Sequence, residues 1–460
     1  MNANSSFFGD LLTSIADRGR AWIDGSGRTS GATKAATLVE RCEALLSGKG
    51  EASGVALAAE ILDRYVRMKT GERIAFFESL AENFGADRAR LEKALGALPK
   101  AKSDTAVAAA IAEIHAASEP RRQELFRRFN LAPGATLRLV RMREQLMDAM
   151  ERRRDLGPVD SDFAHLFSTW FNRGFLVLRR IDWSTPANVL EKIIRYEAVH
   201  AIRDWNDLRA RVDSPDRRCY AFFHPALVDE PLIFVEVALT REPPAAIAPI
   251  LDERRETLEP EKATTAVFYS ISNCQRGLGG VTFGNFLIKQ VVEEISREIP
   301  SLTTFVTLSP VPGFRAWLEA ERKAEASVAL TDADKELLQA IDAPGWAEAP
   351  EVEKTLAPVL AAAAAFYLVV ARSPKGRPLD PVARFHLGNG ARLERVNPMG
   401  DLSAKGLAQA AGVMVNYRYV LPDIEKNHEA FAGKGEVVAS PAVKKLVRPD
   451  AEKRALVPAG

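Results

Sequence analysis

The segment Ala266–Glu294, AVFYSISNCQRGLGGVTFGNFLIKQVVEE, decides the fold class of the chain. Its first part is an apolar run rich in β-branched and aromatic residues, which is typical of a buried strand. This run gives way to a stretch rich in glycine, and apolar residues then recur at helical spacing. The segment therefore predicts a strand, a glycine-rich turn and the N-terminus of a helix.

The glycines of this turn, at positions 277, 279, 280 and 284, carry no side chain that would keep a ligand away from the backbone. Peptide N–H groups and the helix dipole favour an anion there, so the turn predicts a phosphate or pyrophosphate site. The spacing matches neither a P-loop nor the G-x-G-x-x-G pattern of dinucleotide-binding folds. The same glycines are equally compatible with a tight connection that binds nothing.

The composition is that of a soluble globular protein with two or three domains. Of the 460 residues, 47% are hydrophobic and 27% are charged. The 62 basic and 61 acidic residues nearly cancel, so the charge balance does not favour a nucleic acid partner. The longest apolar run, residues 356–371, falls short of the roughly 20 residues that span a bilayer. We expect neither a nucleic acid nor a membrane partner.

The three cysteines are far apart and show no metal-ligand spacing. We therefore expect no metal site and a reducing, cytoplasmic environment. Cys274 lies beside the glycine turn, but we interpret it as a buried thiol rather than a nucleophile. The N-terminus lacks the basic and apolar regions of a secretory signal.

Residues 1–158 are predicted to form an all-α N-terminal domain, a helical bundle. From about residue 37 to 156 the apolar side chains recur at helical spacing, as in the face made by Leu57, Ile61 and Tyr65. No cluster of histidine, aspartate or cysteine in this part looks catalytic. We assign this domain to scaffolding or oligomerisation.

Residues 159–460 are predicted to form an α+β domain with a mixed or antiparallel sheet and a helical insertion at about 315–372. Strands are expected at residues 174–181, 219–224, 231–240 and 303–308, the middle two forming a hairpin. The pair Asn389-Gly390 within residues 383–397 is the strongest hairpin signal in the chain.

Three motifs of this domain carry possible chemistry. Thr307-Leu-Ser309-Pro-Val-Pro-Gly-Phe314 places a serine at the end of a buried strand, and Asn416-Tyr-Arg-Tyr419 combines aromatic and polar groups. His386 would lie opposite Leu393 across the expected hairpin. Each also has a purely structural interpretation: a strand end, a core histidine or packed tyrosines. The residues alone indicate no more than a phosphate-bearing ligand on an α+β sheet.

The motifs occur in order with the segments CYAFFHPALVDEPLIFVEVALT, SISNCQRGLGGVTFGNFLIKQVV, LSPVPGF, FHLGNGARLERVN and VMVNYRYVL. In this combination the chain resembles the malonyl-CoA decarboxylase family over about residues 160–425. The resemblance implies an α+β multidomain protein, in which a helical domain precedes a GNAT-like catalytic domain. It also implies that the glycine-rich turn binds the pyrophosphate of coenzyme A.

The resemblance places the catalytic residues on Ser309 and His386 and the motif tyrosine on Tyr419. Some eukaryotic members carry glutamate at the position of Thr282, so no catalytic role is transferred to that residue. The implied residues that bind CoA or malonyl-CoA are Gln275, Arg276, Gly277, Gly279, Gly280, Val281, Thr282, Phe283, Gly284, Asn285, Asn389 and Asn416.

The implied reaction is decarboxylation of malonyl-CoA to acetyl-CoA and CO₂ through an enolate, without metal or other cofactor. In our hypothesis His386 is the general acid that protonates C2, and Ser309 binds the carboxylate or the thioester carbonyl. Family precedent also casts the serine as proton acceptor, and Tyr419 would orient one of the two.

Two alternatives stay open: a GNAT-type N-acyltransferase that uses CoA thioesters, and a non-catalytic malonyl-CoA sensor. The metabolic context, malonate breakdown or control of fatty acid synthesis, is equally open. The resemblance further implies a homo-oligomer, a tetramer.

Overall fold

The computed structural model describes residues 34–48, 50–281 and 287–448. By their contacts these residues divide into two compact units. The first holds the described residues up to Leu176, together with residues 224–228 and 275–281, the latter being the described part of the glycine turn. The second holds most of the remaining chain. The boundary near residue 158 stays a prediction.

The first unit is helical, as predicted. A stack of aromatic rings forms part of its core, with the ring centroids of Phe126 and Phe163 4.0 Å apart. A buried ion pair between Arg122 and Asp162 ties two of the helices together. The helices are α1 (Lys34–Ser47), α2 (Glu51–Val66), α3 (Thr70–Asn83), α4 (Arg88–Ala97), α5 (Asp104–Ser118), α6 (Arg121–Phe129), α7 (Ala135–Met150) and α8 (Gly157–Trp170).

The second unit is built on a mixed sheet, which confirms the predicted α+β class. Its strands are β1 (Val177–Ile181), β2 (Arg217–Phe223), β3 (Pro231–Thr240), β4 (Thr265–Asn273), β5 (Thr304–Thr307), β6 (Ser309–Pro310), β7 (Arg392–Asn397) and β8 (Met414–Arg418). They follow the order β1-β2-β3-β4-β5-β8-β6, and β7 pairs with β8. Only the β4–β5 pairing among these is parallel. The predicted β2–β3 hairpin is confirmed, with Phe222 opposite Ile233.

Helices cover this sheet and fill the interval between β6 and β7, where the helical insertion was predicted. They are α9 (Ala187–Tyr196), α10 (Trp205–Val212), α11 (Ala248–Leu251), α12 (Leu287–Glu298), α13 (Phe314–Lys323), α14 (Asp332–Leu337), α15 (Pro350–Val369), α16 (Pro381–Gly388), α17 (Ala404–Ala410), α18 (Ile424–Lys434) and α19 (Pro441–Leu446). Within the described ranges, none of the helices combines the length and the apolar character needed to cross a bilayer.

The hairpin predicted at Asn389-Gly390 is wrong, because the residues before it form helix α16. Asp380 starts this helix: its carboxylate accepts the N–H of Ala383 at 2.7 Å, and proline occupies the first helical position. At the other end Gly390 has φ +81°. The N–H of Ala391 reaches the carbonyl of His386, and that of Gly390 reaches Leu387. This is a Schellman motif, so the Asn-Gly pair ends a helix instead of turning a hairpin.

We expect Gly390→Ala to destabilise the second unit. A side chain at φ +81° is strained, and its Cβ would lie 2.2 Å from the carbonyl oxygen of Ile424. The cost should be about 2 kcal/mol or more, seen as a lower midpoint of thermal unfolding. Gly96→Ala in α4, where nothing lies within 4 Å, is the control and should be neutral or slightly stabilising. Equal midpoints for the two variants would contradict this assignment.

Candidate active site

The site begins at the short break between β5 and β6. Thr307 and Ser309 are two residues apart in an extended chain, so their side chains share one face. The hydroxyl of Ser309 donates to Oγ1 of Thr307 at 2.8 Å. Oγ1 of Thr307 in turn accepts the N–H of Tyr417 at 3.1 Å, which fixes β8 beside this break. The position of Ser309 is thus set from both its own chain and β8.

His386 connects this serine to a tyrosine at the end of β8. Its Nε2 lies 3.1 Å from Oγ of Ser309, and its Nδ1 lies 2.9 Å from the hydroxyl of Tyr419. All three side chains are buried, with exposed fractions of 4% or less. The structure therefore brings together the three residues that the resemblance implied, in one hydrogen-bonded chain.

Tyr417 holds the plane of the imidazole. Its ring stacks on that of His386 with centroids 4.7 Å apart and an interplanar angle of 23°. Tyr417 and Tyr419 are two residues apart, and the N–H of Tyr419 bonds to the carbonyl of Phe305. The geometry corrects one detail: Leu393, expected opposite His386, pairs with Tyr417 instead.

Burial controls the protonation of these groups. It lowers the pKa of His386 to about 3 and raises the pKa of the Tyr419 hydroxyl. Near neutral pH the imidazole is therefore uncharged, with one ring nitrogen as donor and the other as acceptor. Such a ring passes hydrogen bonds from Tyr419 to Ser309 without placing a charge in the site.

A cavity of about 240 Å³ opens beside Ser309 and His386. None of the described residues that line it is a lysine, arginine, aspartate or glutamate. They are Val199, Phe268, Tyr269, Ile271, Asn273, Ser309, Pro310, Pro381, Val382, Phe385 and His386. The cavity therefore offers a few polar groups within apolar and aromatic walls.

Two asparagines predicted to bind substrate have structural hydrogen bonds. The amide of Asn416 donates to the carbonyl of Thr307 at 2.7 Å, and its oxygen accepts from Asn397 at 2.9 Å. The amide of Asn389 donates to the carbonyl of Phe385 at 2.7 Å, inside the end of α16. All three bonds support elements of the site, and a role in binding substrate stays a prediction for each asparagine.

The glycine turn follows β4 as predicted, and it starts as a short 3₁₀ turn at Arg276–Leu278. Gln275 and Val281 are buried, whereas the guanidinium of Arg276 forms ion pairs with Glu144 and Asp148. Of the predicted ligands, Thr282, Phe283, Gly284 and Asn285 lie outside the described residues. Phosphate binding at the turn stays a prediction.

Sequence reasoning missed Thr307, Tyr417 and Asp380. The first two could have been found by alternation, because each is two residues from an identified residue, Ser309 or Tyr419. Asp380 stands directly before a proline, which is a signal for a helix N-cap. Across the described ranges no group of three or more histidine, cysteine, aspartate or glutamate residues could hold a metal. A metal-independent reaction stays a prediction.

The lowered pKa of His386 predicts a pH-dependent stability. The ordinary pKa of histidine is about 6.5, and the pKa of His386 in the folded chain is about 3. At pH values between these two, the unfolded chain binds a proton at this position and the folded chain does not. The free energy of unfolding therefore falls as the pH drops below about 6.5.

Urea unfolding of the wild type and of His386→Gln, each near pH 7 and near pH 5.5, measures this effect. We expect the wild type to lose about 1 kcal/mol more than the variant over this interval. His200, whose pKa burial lowers to about 4, is present in both proteins and cancels in the difference. Equal losses would show that the pKa of His386 is ordinary.

Comparison with known families matches most of the chain. Residues 84–171 match the model of the malonyl-CoA decarboxylase N-terminal domain, and residues 174–457 match that of the C-terminal domain. Mitochondrial malonyl-CoA decarboxylase of Anser anser anser is 37% identical over 396 residues, which cover 80% of this chain and 78% of that protein. The enzyme of Rattus norvegicus is 34% identical over 407 residues, covering 82% of each.

Solved structures agree with these matches. The crystal structure of malonyl-CoA decarboxylase from Rhodopseudomonas palustris is 56% identical, with a TM-score of 0.86 over 90% of this chain and 100% of that one. The structure from Agrobacterium vitis is 57% identical, with a TM-score of 0.85 over 89% and 99% of the two chains. The protein described here belongs to the malonyl-CoA decarboxylase family.

Proposed function

We propose that this protein decarboxylates malonyl-CoA to acetyl-CoA and CO₂. The observation that supports this most directly is the buried chain Ser309–His386–Tyr419 beside a cavity whose described lining holds no charged side chain. The relatives and solved structures of the preceding subsection carry this activity in their names, which supports the same assignment here.

The cavity walls favour loss of CO₂. A malonyl carboxylate among Val382, Phe385 and Pro381 would be poorly hydrated and would meet no cationic side chain from the described lining. Its negative charge spreads onto C2 and the thioester oxygen as the C–C bond breaks. An environment that solvates a localised charge poorly therefore penalises the substrate more than the transition state.

In this proposal Ser309 donates the proton to C2 of the enolate, and His386 supplies a proton to Ser309. Both ring nitrogens of His386 are already engaged, at 3.1 Å by Ser309 and at 2.9 Å by Tyr419. With the tyrosine hydroxyl donating to Nδ1, Nε2–H donates to Oγ of Ser309, whose own hydrogen is then free to rotate from Thr307 towards C2. The serine gives this proton to the enolate and takes the Nε2 proton in return, while the hydroxyl of Tyr419 passes its proton to Nδ1. A proton from solvent then restores the tyrosine hydroxyl, so the ring stays neutral throughout.

Other features remain proposals. We assign the CoA phosphates to the glycine turn and expect the reaction to need no metal or other cofactor. A homotetramer is proposed on the family resemblance. A cytoplasmic location is also proposed, although the relatives from Anser anser anser and Rattus norvegicus are named as mitochondrial.

The test of the function is an assay of the purified protein with malonyl-CoA and a chelator, followed for CO₂ and acetyl-CoA. Equal amounts of both products are expected. An N-acyltransferase would instead release free CoA from acetyl-CoA only when an amine is added. A sensor would bind malonyl-CoA without turnover, so either of these results would refute the proposal.

We expect Ser309→Ala and His386→Ala each to lower kcat by about 10²- to 10⁴-fold, because each interrupts proton delivery. Tyr419→Phe keeps the ring but removes the hydroxyl at Nδ1, so its loss should be smaller. Ser168→Ala, at an exposed serine, is the control and should match the wild type. The kcat of all four variants is measured from the steady-state rate of acetyl-CoA formation. Activity of the first two within about tenfold of the wild type would refute these roles.

The described lining of the cavity holds no charged side chain, and this predicts an effect of an added cation. In Val382→Lys an ammonium at the half-buried wall would pair with the malonyl carboxylate and stabilise the bound substrate more than the transition state. Both KM and kcat should fall, kcat by about tenfold or more. The control Val382→Met keeps the wall apolar and should retain kcat. A rise in kcat of the lysine variant would contradict the role given to the walls.

A further inference from the structure

Arg143 of helix α7 is buried, and its guanidinium forms hydrogen bonds to two different parts of the chain. Towards α8, its Nε lies 2.8 Å from Oδ1 of Asp160, and its Nη2 lies 3.3 Å from Oδ2. Towards the glycine turn, its Nη1 donates to the carbonyls of Gly277 and Gly279, each at 2.9 Å. One side chain therefore connects the helices of the first unit to two peptide groups of the turn.

Close packing of the turn on the same helix is a second and independent observation. A Cβ at Gly277 would lie 2.0 Å from the carbonyl oxygen of Val140 on α7. At Gly279 it would lie 3.3 Å from Cε of Met147, one helical turn beyond Arg143. Gly277 is therefore required by the approach of the turn to α7, whatever ligand the turn binds.

The two hydrogen bonds from Arg143 orient the peptide planes of the turn. In a trans peptide the N–H points opposite to the carbonyl of the same plane. The carbonyl of Gly279 points at Arg143, so the N–H of Gly280 points away from α7. The N–H of Leu278 is already used within the turn, where it donates to Gln275 at 3.0 Å. Arg143 thus sets the direction of the Gly280 donor.

We infer that Arg143, held by Asp160, is a positioning residue for the binding of the CoA phosphates. It does not touch the ligand: it fixes the carbonyls of the glycine turn so that the opposite N–H faces an anion. This inference rests on the proposed function, because it takes the phosphates of malonyl-CoA as the ligand. It gives the helical unit a part in substrate binding besides the scaffolding role expected from its sequence.

The experiment compares malonyl-CoA with malonyl-pantetheine, which has the same thioester but lacks the phosphates. In Arg143→Lys a single ammonium cannot hold both carbonyls and Asp160, since it lacks the guanidinium fork. We expect KM for malonyl-CoA to rise about tenfold or more, with kcat within about threefold of the wild type. Kinetic constants for malonyl-pantetheine should stay unchanged, because that substrate makes no phosphate contact.

Two further variants complete the design. Asp160→Asn removes the charge that holds Arg143 and should show the same selective rise in KM, and it replaces Arg143→Lys if that variant fails to fold. Arg152→Lys, at an exposed residue just after α7, is the control. Equal losses with both substrates, or an unchanged KM for malonyl-CoA, would overturn the inference. Failure of the wild type to decarboxylate either substrate would instead refute the proposed function.

Discussion

The organisation of the site depends on an imidazole that stays neutral because it is buried. His386 can accept at one ring nitrogen and donate at the other only while it carries a single proton, and burial lowers its pKa to about 3. A charged ring would donate at both nitrogens and would leave Tyr419 unable to donate to it. In the uncharged form the ring links Tyr419 to Ser309 in one directed chain of hydrogen bonds, and the stacked ring of Tyr417 holds its plane.

Much of the sheet could be predicted from local patterns, because apolar β-branched runs have few alternatives. The β2–β3 hairpin and the strand before the glycine turn follow from such runs. Helix α16 could not be predicted in this way, since it is short and Asn389-Gly390 serves both hairpins and helix ends. The deciding signal was the capping pair Asp380-Pro381, which acts at the other end of the helix.

The proposed catalytic residues were identified by resemblance and not by spacing. Ser309, His386 and Tyr419 come from three separate parts of the chain. Pairing of β8 with β5 and β6 places the serine near the tyrosine, and helix α16 places His386 between them. Thr307 and Tyr417 were missed because their parts in the site are long-range contacts: the N–H of Tyr417 donates to Thr307, and the ring of Tyr417 stacks on His386. Local sequence carries little information on contacts between residues about a hundred positions apart.

The capping of helix α16 at both ends has a consequence for how this chain can vary. Asp380 and Gly390 fix where the helix begins and ends, so the number of residues between them is fixed at eight helical residues, Pro381–Gly388, and the C-cap. Inserting or deleting one residue before His386 would turn its side chain by about 100° around the helix axis and shift it by about 1.5 Å. This helix can therefore accept substitutions, but not a change in its number of residues.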